Sequence, residues 1–145
     1  MLAGIYVVTG KFDVEGTLLT GAGGVIVYFT CPTAPCSGAG VGGYFDVNNT
    51  ALATITAQSS GTYNGIAVLS DPGDKSGDRI NDGQVTVNGA YDAPAKSWTL
   101  TNNSDSITFG GVTVVSMLIL GASGTSVTVT APSSGGSGSI PALAP

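Results

Sequence analysis

Residues 85–90, Val85-Thr86-Val87-Asn88-Gly89-Ala90, contain the pattern that decides the fold class. Two apolar side chains stand on alternate positions with a polar residue between them, and a turn pair follows at once. Alternation with a period of two places Val85 and Val87 on one face of a β-strand. Asn and Gly tolerate positive φ, so Asn88-Gly89 predicts a sharp turn directly after that strand.

Similar units recur along the chain, and apolar residues also alternate in the segments between them. Residues 25–29 and 66–69 are further apolar runs, and Thr, Ser, Gly and Asn separate the runs. No window of a dozen residues combines helix formers with the i, i+3, i+4, i+7 spacing of an amphipathic helix. The sequence therefore predicts an all-β chain with little or no α-helix. The units that most resemble residues 85–90 begin at Phe12, Phe45 and Trp98.

Two all-β architectures fit this pattern. A β-sandwich has longer alternating strands, whereas a parallel β-solenoid stacks short strands with Gly or Asn at the corners. Many of the predicted strands are short and end in Gly-Gly, Asn-Gly or Asn-Asn. Scarce charge also suits stacked strands, because like charges would lie ~4.8 Å apart in neighbouring strands. We favour the β-solenoid, also called a β-helix, and keep the β-sandwich as the alternative.

The chain has 145 residues, which fits one domain. Residues 1–131 carry the strand pattern, and residues 132–145 are rich in Gly, Ser and Pro, which predicts a flexible tail. No apolar stretch reaches the ~18 residues of a membrane-spanning helix. The first eight residues contain no cationic region or cleavage signature, so we expect any targeting segment to lie upstream in a longer parent protein.

Charge excludes several classes of function. Charged residues make up only 9% of the chain, with 4 Lys and Arg and a net charge of −5, so binding to nucleic acid is not expected. His, the commonest general base and metal ligand, is absent. The nucleophile motifs S-x-x-K and G-x-S-x-G are also missing. The sequence therefore predicts a protein that is not an enzyme and has no cofactor.

Cys31 and Cys36 are the only two cysteines and frame a loop that contains two prolines. Two cysteines without histidine cannot supply the four ligands of a structural zinc site, and their spacing does not match a redox C-x-x-C motif. We predict a local disulfide between Cys31 and Cys36. Such a bond favours an oxidising, extracytoplasmic location.

One charged cluster and one glycine-rich motif offer weak binding hypotheses. The acidic residues of 71–82 could contribute oxygens to calcium, but their spacing does not match an EF-hand, and a solvated, salt-bridged loop is the simpler interpretation. Gly38–Gly43 satisfy G-x-G-x-x-G, yet a strand follows them where a nucleotide site needs a helix. We interpret this motif as a turn. The calcium candidates are Asp71, Asp74, Asp78 and Asp82.

The lysines and threonines suggest two further hypotheses. A lysine can be crosslinked to Asn or Asp beside a buried acid, but nothing in the sequence brings Lys11 and Glu15 to an Asn, so surface positions are expected for Lys11, Lys75 and Lys96. A flat face of regularly spaced threonines could order water and bind ice. The Thr-x-Thr pairs do not recur on a fixed period, so we expect ordinary outward-facing β residues. They are Thr54 with Thr56, Thr99 with Thr101, and Thr128 with Thr130.

Aromatic residues could bind a different kind of ligand. An exposed row of them would favour binding of a glycan, although packing inside the fold is the simpler role for such side chains. The six candidates are Tyr6, Tyr28, Tyr44, Tyr63, Tyr91 and Trp98.

Three segments carry a resemblance to a known family. They are residues 3–16, with Gly4, Tyr6 and Gly10; residues 61–68; and residues 87–94. In these segments the chain resembles the Gly-rich C-terminal regions of TadE/TadG-like pilus-assembly proteins, and the resemblance extends over roughly residues 3–131. It implies an exported, non-enzymatic part of a pilus or envelope assembly and brings no catalytic residues. The chain departs from the family because it lacks the N-terminal membrane helix and the upstream domain.

Together these expectations describe a structural or adhesive domain at the cell surface. Its partners would be other pilus or envelope proteins, or further copies of itself, because the open ends of a solenoid have unpaired β edges. Nucleic acid is not expected as a partner. The alternative is a surface β-solenoid that binds ice or a glycan.

Overall fold

The computed structural model describes residues 1–21, 23–37 and 42–130, and these residues contain eleven β-strands and no helix. The strands form one sheet, in which every pairing is parallel. They are β1 (Gly4–Val8), β2 (Lys11–Glu15), β3 (Leu18–Gly21), β4 (Val25–Phe29), β5 (Tyr44–Thr56), β6 (Ile66–Ser70), β7 (Asp78–Asn88), β8 (Ala90–Leu100), β9 (Ser106–Phe109), β10 (Thr113–Leu120) and β11 (Ser126–Val129).

The pairings arrange the strands as five stacked coils with three faces. The first face contains β1, β4, β6 and the starts of β8 and β10. The second contains β2, the starts of β5 and β7, and the ends of β8 and β10. The third contains β3, the ends of β5 and β7, β9 and β11. The predicted parallel β-solenoid is therefore confirmed, and the sandwich alternative is wrong because sandwich sheets are antiparallel.

Corners divide the long strands between two faces. Asn49 and Thr50 have positive φ values of 55° and 61°, and they lie where the pairing of β5 with β7 shifts register. Asp82, with φ 68°, makes the corresponding bend in β7. Asn and Asp tolerate this conformation better than most residues, which explains Asn49 and Asp82 at the corners, whereas the β-branched Thr50 rarely adopts it.

Side chains that point inward from all three faces form one continuous core. Its centre is aromatic: Phe45 packs edge-on against Phe29, with 4.7 Å between ring centroids, and stacks on Trp98 at 5.9 Å. Tyr91 bridges Trp98 and Phe109. Tyr91 and Trp98 are fully buried, so the six aromatic candidates do not form an exposed row. Such edge-on and offset ring pairs add stability beyond the area they bury.

Two predicted segments lie wholly or partly outside the described residues. The tail at 132–145 is one of them, and positions 38–41 of the glycine-rich motif are the other. Gly42 and Gly43 are described and buried, and β5 begins directly after them at Tyr44. The motif thus leads into a strand, as the sequence indicated.

Candidate functional site

The corner between the first and second faces carries the longest loop, between β4 and β5, and most of the buried polar groups. Cys31 and Cys36 form the predicted disulfide there, with 5.2 Å between their Cα atoms. Asp71, in the loop of the next coil, accepts hydrogen bonds from the N–H groups of Cys36 (3.3 Å) and Gly73 (2.8 Å). The carboxylate of Asp71 therefore ties the disulfide loop of the second coil to the third coil.

The four calcium candidates do not converge on one point. Asp71, Asp74 and Asp78 are buried in this corner and accept hydrogen bonds from backbone N–H groups, whereas Asp82 lies at the next corner and accepts one from Ser104. No group of three or more acidic or cysteine side chains that could hold a metal ion occurs within residues 1–21, 23–37 and 42–130. The expectation of a solvated loop is wrong for the first three, because neighbouring coils enclose their carboxylates.

Lys96 lies at the centre of this corner and is fully buried, so the expectation that it is a surface lysine is wrong. Its Nζ donates hydrogen bonds to the carbonyl oxygens of Gly43 (2.6 Å) and Ser76 (3.0 Å). Two carboxylate oxygens also lie close to Nζ: Oδ1 of Asp78 at 3.3 Å and Oδ2 of Asp74 at 3.6 Å. We call Lys96, Asp74 and Asp78 the Lys–Asp cluster.

The acids of the Lys–Asp cluster have different surroundings. Asp78 faces the core at the position paired with Trp98, and it accepts hydrogen bonds from the N–H of Phe45 (2.8 Å) and the hydroxyl of Tyr91. Asp74 accepts one from the N–H of Ser76 through Oδ1, whereas its buried Oδ2 has no hydrogen-bond partner among the residues that the structure describes. A buried polar atom of this kind is uncommon in a folded protein.

Burial dominates the acid–base properties of the Lys–Asp cluster. It raises the pKa of Asp78 to about 6, although the charge of Lys96, the Tyr91 hydroxyl and the Phe45 N–H all act to lower it. Burial and the neighbouring charge of Asp78 also raise the pKa of Tyr91 well above its usual value. A dry interior disfavours every charged form, so a protonated Asp78 is accessible near neutral pH.

The third face carries a ladder of five threonines in strict register. Consecutive pairings join one threonine from each coil, and the neighbours within each strand point into the core. Strand spacing sets the repeat of this threonine ladder at ~4.8 Å. The strand segments on this face, 18–21, 51–56, 83–88, 106–109 and 126–129, contain no charged residue. The members are Thr20, Thr54, Thr86, Thr108 and Thr128.

Among the residues that the structure describes, no coil covers the inward-facing side chains of the fifth coil. Leu118 and Leu120 pair with the fully buried Trp98 and Leu100, yet 38% and 52% of their surfaces are exposed. Val129, paired with the buried Phe109, is 62% exposed. Leu118 and Val129 line an apolar depression of about 340 Å³, together with Val115 and Val127. We call this surface the open end.

The chain matches no protein-family model, no curated protein and no solved structure. Among residues 1–21, 23–37 and 42–130, there is also no helix of the length and apolar character required to cross a membrane.

Sequence reasoning missed two features, although each left a signal. Lys96 lies between Tyr91 and Trp98 in an otherwise charge-poor strand, and a lysine flanked by core aromatics indicates burial. The threonine ladder was hidden because loops of unequal length separate its members, but Thr54, Thr86 and Thr108 each stand between two apolar residues. Thr99, one of the threonines considered for an ice-binding face, lies on the second face and not in the threonine ladder.

Proposed function

We propose that the chain is a non-enzymatic structural module of an extracytoplasmic assembly, such as a pilus or cell envelope. It would join its neighbours by continuing the parallel stack. The observation that carries this proposal is the open end, where Leu118, Leu120 and Val129 occupy core positions without a covering coil. An exposed apolar β edge is a template for pairing with another chain.

The partner that the geometry favours is a second copy of this chain, placed head to tail. The first coil presents β1, β2 and β3 as the opposite edge of the same three faces, and its inward-facing Tyr6, Phe12 and Leu19 are only partly buried. No charged residue follows Asp105 in the sequence, so the open end offers no charge that would oppose stacking. A head-to-tail contact of unlike surfaces does not close and generates filaments.

The disulfide and the scarcity of charge support an extracytoplasmic location. Disulfides persist in oxidising compartments and are rare in the cytosol. The bond between Cys31 and Cys36 is buried in a corner and is supported by the Asp71 hydrogen bond. The resemblance to pilus-assembly proteins is in keeping with this location.

Sedimentation over a range of concentrations tests the module's self-association. We expect the average mass of the full chain to rise with concentration and Leu120→Lys to abolish that rise, because a lysine on a strand edge opposes pairing. Leu52→Lys is the control, since Leu52 is 44% exposed on the outer side of the third face and its strand is already paired on both sides. A full chain that stays monomeric at every concentration, or equal effects of the two variants, would contradict the proposal.

The threonine ladder favours a second candidate function, binding to ice. Five hydroxyl groups and five methyl groups repeat at a constant spacing on an uncharged face, so they can hold water in a matching array. Glycan binding has less support, because two of the six aromatic side chains are buried in the core.

Ice recrystallisation assays separate this candidate from the structural one. If the ladder binds ice, Thr86→Lys at its centre should abolish inhibition of crystal growth, while Thr99→Lys on the second face should retain it. A full chain without effect on ice growth would exclude this candidate and leave the structural proposal untouched.

A further inference from the structure

The Lys–Asp cluster brings an amine and two carboxyl groups together in a part of the core from which solvent is excluded. Lys96 and Asp74 are 0% exposed and Asp78 is 1% exposed. The ring of Phe29 lies on one side of the amine, 4.8 Å from Nζ to the ring centroid. A Cβ added to Gly42 would collide with the carboxylate of Asp74, so glycine at this position leaves the space that Asp74 occupies.

An ion pair alone explains this arrangement poorly. Removing a lysine and two aspartates from water is costly, and two carboxylates share one ammonium group, which leaves a net negative charge in the core. Asp74 Oδ2 also remains without a hydrogen-bond partner. Loss of charge from the amine and one acid would remove most of this cost.

Amide formation between an amine and a carboxyl group has three requirements. The amine must be neutral, the carboxyl must be protonated or polarised, and water must be excluded so that the product is not hydrolysed. The side chains of the cluster are enclosed by neighbouring coils, which excludes water, and the pKa of about 6 for Asp78 leaves about a tenth of it protonated at pH 7.

The two acids are suited to different parts of this reaction. Phe45 N–H and Tyr91 O–H donate to the two oxygens of Asp78, so they draw electron density from its carboxyl carbon. Asp78 Oδ1 is also nearer to Nζ, at 3.3 Å, than Asp74 Oδ2. The unpartnered Oδ2 of Asp74 lies 3.6 Å from Nζ, where it can accept a proton from the amine.

We propose that Lys96 and Asp78 form an intramolecular isopeptide bond, with Asp74 transferring the proton. The neutral Nζ attacks Cγ of the Asp78 carboxylic acid, and the new N–C bond forms as the C–OH bond breaks. Asp74 takes one proton from Nζ and delivers it to the departing hydroxyl group, so one water leaves and Asp74 returns to its starting state. No oxidant or activated co-reactant is needed.

The bond would join two coils that the backbone connects only through a corner. Asp78 begins β7 in the third coil, and Lys96 lies in β8 of the fourth. Two hydrogen bonds hold the loop between β4 and β5 against the same corner. The N–H of Cys36 donates to Asp71, and the N–H of Gly42 donates to Ser76 Oγ at 2.7 Å. A covalent bond here would resist separation of the coils along the solenoid axis.

Mass spectrometry of the full chain, denatured and reduced, tests the proposal directly. We expect a mass one water lower than that of the sequence, and a branched tryptic peptide that joins residues 78 and 96. Trypsin should cleave after the exposed Lys75 and fail to cleave after Lys96, whose amine is no longer charged. A full sequence mass with complete cleavage after Lys96 would overturn the proposal.

Two variants separate the roles of the residues. Lys96→Arg keeps the positive charge but cannot form the amide, so it should restore the full sequence mass; a persistent loss of water in this variant would place the dehydration elsewhere and overturn the assignment. Asp74→Asn should slow bond formation at least tenfold in a chain with an unchanged circular dichroism spectrum. An undiminished rate would show that Asp74 transfers no proton, and a branch at residue 74 would exclude Asp78 as the partner.

Discussion

The fourth and fifth coils have the same register but differ in how their inward side chains are covered. In the fourth coil Trp98, Leu100 and Phe109 lie between two neighbouring coils and are almost completely buried. In the fifth coil Leu118, Leu120 and Val129 point in the same direction and have a neighbour on one side only. The difference shows that stability in a solenoid comes from contacts between coils and decreases towards an uncovered end.

Shortening one inward-facing side chain in each of the two coils should give the largest difference in the free energy of unfolding. Trp98→Ala should lower the free energy of unfolding by about 4 kcal/mol, because it removes a fully buried aromatic side chain and leaves a cavity. Leu118→Ala, at the paired position, should cost about 1 kcal/mol because the side chain is already partly solvated. Urea unfolding measures both values. Equal losses of unfolding free energy would contradict a decrease in stability towards the uncovered end.

The corners of the two coils offer the second test. The buried carboxylate of Asp105 accepts hydrogen bonds from the N–H groups of Asp82, Gly83, Thr101 and Asn102, at 2.7 to 3.1 Å. In the fifth coil Thr125 precedes the strand residue paired with Ser106 and so takes the corresponding place.

Asp105→Ala should cost about 3 kcal/mol of unfolding free energy, because it leaves several N–H groups without an acceptor. Thr125→Ala should cost less than about 0.5 kcal/mol, as expected for a change at a partly solvated position. Thermal or urea unfolding checks the pair. A small loss for Asp105→Ala would mean that water replaces the carboxylate.

The disulfide allows a test of how far stabilisation spreads from one corner. Replacing Cys31 and Cys36 together by Ser should lower stability by about 2 kcal/mol, since the bond closes a short loop. Hydrogen exchange should become faster around the loops at 30–37 and 71–77, whereas β10 should exchange as before. Faster exchange in β10 would show that the fifth coil depends on this corner.

Acid should lower the stability of the coils that contain charged residues more than that of the fifth coil. This is the smallest expected change in the free energy of unfolding. Burial acts to raise the pKa of Asp46, but hydrogen bonds from Arg79 and Lys11 outweigh it and the pKa is lowered. The folded protein therefore binds this proton less tightly than the unfolded chain, so the stabilisation is present above about pH 4 and is lost as pH falls below it.

Arg79→Gln should reduce this contribution by roughly 0.5 kcal/mol, because the Arg79 side chain is half exposed and solvent weakens the pair. Urea unfolding at pH 6 and pH 3 measures the change. The variant should differ from the unmodified chain at pH 6 and match it more closely at pH 3. A constant difference at both pH values would indicate that Arg79 acts through packing.

The class of fold was accessible from the sequence because its signals are local. Alternation around Val85 and Val87, and the turn pair after it, specify a short strand and a corner without reference to the rest of the chain. The loop disulfide was accessible for the same reason, since Cys31 and Cys36 are close in sequence.

Features that depend on which coils become neighbours could not be predicted from local sequence patterns. Asp74, Asp78 and Lys96 meet because the loop at 71–77 packs against the bend of β8, and no local pattern encodes that contact. The register of Thr20 with Thr54 is likewise hidden, because one of the two long loops of the second coil lies between them.

The second of those loops, residues 57–65, determines where the chain can accept an inserted peptide. Residues 59–65 are exposed, and Gly61 and Gly65 adopt positive φ values of 89° and 77° where the chain turns back to β6. Lengthening a flexible connection adds only about 0.6 kcal/mol of closure entropy for each doubling. A foreign peptide inserted after Ser60 should therefore be displayed at the side of the solenoid while the strands on either side remain in place.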